Sequence, residues 1–126
     1  MSGIDVADSE RRLQQAKNHK ANGEYDEALA VLNELLAVEP DNADVHREIG
    51  LIYGFQGLFD ESVEALEKAV GLDDSRADIL CDLAMTHAML GMFDEAKPEF
   101  EKVLAMDPEN KVAQQQMVYF ADMAAL

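Results

Sequence analysis

The sequence has little that would brace a fold from outside. One cysteine, Cys81, stands in 126 residues, so neither an intrachain disulfide nor a cysteine-based zinc cluster is available. That usage fits a reducing compartment. Tryptophan is absent and prolines number three. With few β-branched runs as well, the composition favours helix over sheet. No apolar run approaches the roughly 20 residues of a membrane span. Met1 to Val6 lacks the basic-then-apolar pattern of a secretory signal, so the expected location is cytoplasmic. Basic residues are also scarce: 10 Lys and Arg stand against 26 Asp and Glu, a net charge of −16. An acidic surface repels phosphate backbones and anionic lipid, so nucleic acid and membranes are not expected partners.

What is present is periodicity. Gly23-Glu24-Tyr25-Asp26-Glu27-Ala28, Gly57-Leu58-Phe59-Asp60-Glu61-Ser62 and Gly91-Met92-Phe93-Asp94-Glu95-Ala96 recur at a spacing of 34 residues without a gap. Glycine enters the left-handed conformation that ends a helix without a Cβ penalty. The aromatic packs across the turn, and the acids then favour the N-terminus of a second helix, where Asp is expected to cap free N–H groups. Hydrophobic content of 48% supplies a core, and the length is that of one domain.

A 34-residue period of Gly, an aromatic two residues on, then Asp-Glu-Ala resembles the tetratricopeptide repeat family. The resemblance covers nearly the whole chain. It implies an all-α fold of antiparallel helix-pair repeats stacked in a right-handed superhelix. Residues 1–8 are then a flexible lead-in, 9–42, 43–76 and 77–110 are three repeats, and 111–126 is a capping helix. In repeat 1 the first helix is expected from Ser9, as N-cap, to Ala21, and the second from Asp26 to Val38. Ala28, Leu29, Val31, Leu32, Leu35 and Leu36 form an apolar stripe on the second helix. Pro40 and Pro108 stop helices, and Asn42 is placed to cap the next one. Asp73-Asp74-Ser75 lacks the proline of the other inter-repeat turns. Gly50 is, by resemblance, the small residue that lets two helices approach. Pro98 is expected in the first turn of its helix, where a missing N–H costs least.

Catalytic and metal-binding patterns are not visible. His19 and His87 share one slot two repeats apart, where repeat 2 has Tyr53. Stacked helices lie about 8–10 Å apart, so these rings are too distant to share a metal and are expected to take a core or boundary role. His46 stands alone. No phosphate loop, His-Glu-x-x-His motif or nucleophile elbow occurs. The expectation is a non-catalytic protein with no cofactor and no metal.

The family resemblance places partner binding in a concave groove lined by the first helices. Carried over, its residues are Lys17 in repeat 1, Asp44, Arg47, Leu51 and Phe55 in repeat 2, and Asp78, Cys81, Asp82, Met85 and Met89 in repeat 3, with Tyr119 from the last helix. An apolar strip edged by acids implies a partner peptide or helix with apolar anchors and some Lys or Arg. Methionine suits such a groove, though Met85 and Met89 equally suit filling between repeats. A co-chaperone subfamily grips a C-terminal carboxylate with cations and Asn. The matching positions here are Leu13, Lys17, Glu48, Asp78 and Asp82, so acidic tails are not expected to bind.

By segment the charge is −5 for 1–42 (four basic, nine acidic) and −5 for 43–76 (three basic, eight acidic). It is −6 for 77–110 (two basic, eight acidic) and zero for 111–126 (one of each). That neutral last helix is rich in apolar residues that do not all fit on one face. It either lines the groove or makes an intermolecular contact, the second being a self-associating assembly unit that would dimerise through 111–126.

Overall fold

The computed structural model describes residues 5–126. Among them the regular elements are all helices: α1 (Val6–Ala21), α2 (Tyr25–Val38), α3 (Ala43–Phe55), α4 (Phe59–Leu72), α5 (Ala77–Met89), α6 (Phe93–Met106) and α7 (Lys111–Ala124). They pack as the pairs α1 with α2, α3 with α4 and α5 with α6, and α7 lies against α6. The contacts group into two compact units, one up to Leu72 and one from Asp73 on.

The three repeated glycines sit in equivalent bends. Gly23, Gly57 and Gly91 have φ of 76°, 77° and 76°. In each bend the N–H after the glycine reaches back to the fifth residue before it: Glu24 to His19 at 2.8 Å, Leu58 to Tyr53 at 2.8 Å, Met92 to His87 at 2.8 Å. The glycine N–H bonds one residue further on, to Lys20, Gly54 and Ala88. This is the two-bond closure that satisfies the last carbonyls of a helix and requires a left-handed residue.

Because the chain enters α2 and α6 directly from this bend, Asp26 and Asp94 already lie inside the helix. Contrary to the sequence expectation, neither α2 nor α6 has a side-chain cap. The acids act there only as charges near the positive helix end. Asn42 does cap α3, accepting from the N–H of Asp44 at 3.0 Å and of Val45 at 3.3 Å. Asn110 likewise caps α7 through Ala113 at 2.9 Å. Between α4 and α5, Asp73 replaces the missing proline by accepting from both the N–H and the hydroxyl of Ser75, at 3.1 and 2.6 Å. Those bonds, the hydroxyl's first, hold the Asp73 carboxyl below its usual range.

Two other expectations are corrected. Helix α1 begins at Val6, not Ser9, because Asp5 is the better cap and accepts from Asp8 N–H at 2.8 Å. Ser9 instead donates to Glu39 Oε1 at 2.6 Å, tying α1 to the end of α2. Val6–Asp8 of the expected lead-in are therefore helical, and residues 1–4 lie outside the described residues. Pro98 is the sixth residue of α6, past its first turn. It lies on the exposed face with Asp94, the residue whose carbonyl loses its partner there.

Each unit has its own apolar interior. In the first, Ala16, Ala28, Leu32, Leu35, Val45, Ile49 and Ile52 form one buried cluster. Gly50 is a close-approach residue as expected: a Cβ there would meet Leu66 Cγ at 2.7 Å. The buried Ser62 hydroxyl donates to Gly50 O at 2.7 Å across the same contact. In the second unit Phe100 and Val103 are fully buried, and Phe120 packs on Phe100 with ring centroids 6.1 Å apart.

Candidate functional site

The second unit holds an open apolar groove of about 350 Å³ between one face of α5, the start of α6 and one face of α7. On α5, Met85, Ala88 and Met89 are spaced i, i+3, i+4 and so share a face. On α7, Gln116, Tyr119, Phe120 and Met123 do the same. Phe120 is the buried floor, in edge contact with Phe93 at 5.9 Å. The walls are exposed: Met89 by 61%, Tyr119 by 62% and Met123 by 41%. Among the described residues no charged side chain lines this groove.

Of the residues expected to bind a partner, the groove brings together Met85, Met89 and Tyr119. Asp78, Cys81 and Asp82 belong to the preceding turns of α5 and do not line it. Arg76 holds Asp78 with two parallel bonds, Nε to Oδ1 at 3.0 Å and Nη2 to Oδ2 at 2.9 Å. Cys81 is buried, its thiol 3.9 Å from Asn110 Oδ1 at the start of α7. Phe93 and Phe120 were not anticipated as lining residues. Phe93 reads in sequence as a turn aromatic, and Phe120 shares its slot in the 34-residue period with the buried Ile52 and Thr86, a signal of burial and not of a binding surface.

The remaining expected residues lie in the first unit. Phe55 is 64% exposed and stacks on Tyr25 with centroids 6.1 Å apart, while Leu51, Lys17 and Arg47 are half-buried. Asp44 borders a small pocket of about 210 Å³ with Glu10 and Leu13. A larger concavity of about 540 Å³ is lined by Leu36, His46, Ile49, Tyr53, Glu61, Glu64 and Lys68, among others. It shares none of the expected residues. Its lining carries charges of both signs, Glu61 and Glu64 with Lys68.

The histidines are engaged. His87 is buried with Nδ1 2.6 Å from Glu99 Oε1, and His46 Nε2 lies 2.8 Å from Pro40 O. His19 Nδ1 lies 3.0 Å from Glu24 Oε1, a bond that lowers the Glu24 carboxyl. His87 is thus buried and His19 half-buried, within the core or boundary role expected of them. Among the described residues no three His, Cys, Asp or Glu gather as a metal site, and no helix is long and apolar enough to cross a membrane.

Family models of the tetratricopeptide repeat match residues 13–77 and 77–110. No curated protein matches the sequence. Among solved structures, the chain is similar to the first TPR of Spaghetti (RPAP3) bound to the HSP90 peptide SRMEEVD. The identity is 20% and the TM-score 0.88, covering 98% of each chain. The first TPR domain of human RPAP3 is 20% identical with a TM-score of 0.85, over 93% of this chain and 92% of that one. The Arabidopsis OM64 TPR domain is 16% identical with a TM-score of 0.84, over 91% and 95%. At such identities the likeness shows the fold.

Proposed function

The chain belongs to the tetratricopeptide repeat family, and we propose that it is a non-catalytic protein-interaction module whose partner is anchored in the apolar groove of the second unit. The observation that carries this reading is the groove itself: exposed Met89, Tyr119 and Met123 over a Phe120 floor, with no charge among its lining residues. Such a surface gains from desolvating large apolar side chains, and thioethers adapt to several shapes. The ligand is therefore a peptide or helix with apolar anchors. Its flanks carry Lys or Arg, because the chain has a net charge of −16. Structural relatives that hold chaperone peptides support the general class of function: the RPAP3 domain is seen with SRMEEVD. The ligand differs here, because Glu48, Asp78 and Asp82 stand at positions that the carboxylate-gripping subfamily fills with Asn or cations.

Selection from a display library of short random peptides tests this. Binders are expected to share at least two large apolar side chains and a net positive charge. They should lose binding to Met89→Glu, a change at an already exposed position. Enrichment of acidic peptides, or binders indifferent to Met89→Glu, would overturn the assignment.

A further inference from the structure

Gly50 marks a place on α3 where α4 comes close. At the 34-residue period this slot holds Ala16, Gly50 and Ala84, all buried. On α7 the same slot holds Val118, which is 61% exposed. The last helix thus presents to solvent the face on which α1, α3 and α5 receive a partner helix. A branched side chain there suits a helix docking at ordinary side-chain spacing, about 8–10 Å between axes. It does not suit the close approach seen at Gly50.

This face has a charge pattern of its own. Lys111 and Asp122 are the charged residues of α7, and none between them is charged. Lys111, Gln115, Val118 and Asp122 follow the spacing i, i+4, i+7, i+11, one narrow stripe of a helix, and all four are exposed. The stripe lies opposite the buried Ala113 and Phe120. Two such stripes laid antiparallel about a twofold at their midpoint set Lys111 of each copy against Asp122 of the other. Gln115 and Val118 meet between them. The pattern is self-complementary, as a twofold contact requires. The other segments each carry five or six net negative charges, so a second copy meets repulsion there and not on this neutral helix.

We propose that the outward stripe of α7 is a self-association surface, pairing antiparallel with the same stripe of a second copy of this chain. The contact is small, so the dimer is reversible and concentration-dependent. It uses a different face of α7 from the groove and stands or falls independently of the peptide-binding reading.

Sedimentation equilibrium of the 126-residue chain tests it, with circular dichroism confirming that each variant keeps its helix content. The wild type is expected to show a monomer–dimer equilibrium that weakens with added salt. Val118→Asp and Asp122→Lys are each expected to raise the dimer dissociation constant about tenfold or more. The swapped double variant Lys111→Asp/Asp122→Lys should recover the wild-type value to within about threefold. A strictly monomeric wild type up to about 1 mM would overturn the proposal. So would a dimer indifferent to both single changes, a double variant no better than Asp122→Lys alone, or a dimer lost instead on Met89→Glu.

Discussion

Lys20 Nζ stands 2.5 Å from Glu48 Oε1, joining the last turn of α1 to the middle of α3 with Glu48 buried and Lys20 largely so. In sequence Glu48 reads only as an acid at a position where the carboxylate-gripping subfamily differs, and nothing ties it to Lys20. In the structure they form a pair. Breaking a buried pair from one side leaves a charge without its partner, which costs more than the pair itself contributes.

Glu48→Gln and Lys20→Met are therefore each expected to destabilise the fold, by up to about 3 kcal/mol. The double change should recover part of that loss. Urea denaturation of the four species of a double-mutant cycle measures it. Strict additivity of the single effects would show that the pair is not coupled.

The same pair bears on ligand choice. With Lys20 committed to Glu48, and with Asp78 and Asp82 acidic, a free Met-Glu-Glu-Val-Asp peptide is expected to bind more weakly than about 1 mM. Calorimetry decides this, and micromolar binding would refute it.

Glycine substitutions separate conformation from packing. Around Gly57 there is room for a Cβ, but its φ is +77°. Gly57→Ala is therefore expected to cost about 1–2 kcal/mol through backbone strain alone. Gly71, inside α4 and equally open, has no such constraint. Gly71→Ala should stabilise by about 0.5–1 kcal/mol. Thermal melts that moved in the same direction for both would contradict the assigned bends.

The Ser9–Glu39 bond gives a pH signature. Bonds from Ser9 and then Asn42 hold the Glu39 carboxyl below its ordinary value of 4.5, outweighing the opposing effect of burial. A carboxyl lowered in the folded state contributes stability that is present above the unfolded value. That contribution is lost as pH falls through the folded one. Ser9→Ala should therefore lower the melting temperature at neutral pH, and the gap to wild type should close as pH drops below 4.5. A gap that widened in acid would reverse the sign and contradict the assignment.

The helix pairs were legible because the bend has a local chemical requirement. Only glycine tolerates φ near +76° without strain, so Gly23, Gly57 and Gly91 announce it at a fixed period. Asn42 was equally readable, as a cap acts on the next residues. Choices between competing partners were harder to read. Ser9 could cap α1 or reach Glu39, and tertiary proximity decided for Glu39. Pro98 was misplaced by about one turn, because solvent exposure, not sequence position, is what makes it tolerable there. The groove was partly visible: the family resemblance points to Met85, Met89 and Tyr119, whereas Phe93 and Phe120 meet only because α6 and α7 pack together.

The claim that a partner is anchored on the apolar face of α5 and α7 is tested most directly by methyl NMR of isotope-labelled methionines during titration with an amphipathic Leu/Lys peptide. The methyls of Met85, Met89 and Met123 are expected to shift together and saturably, while Met106, partly exposed at the end of α6, stays in place. Saturable shifts at Met106 with Met85, Met89 and Met123 unmoved, or no saturable shift at any methionine, would contradict the account.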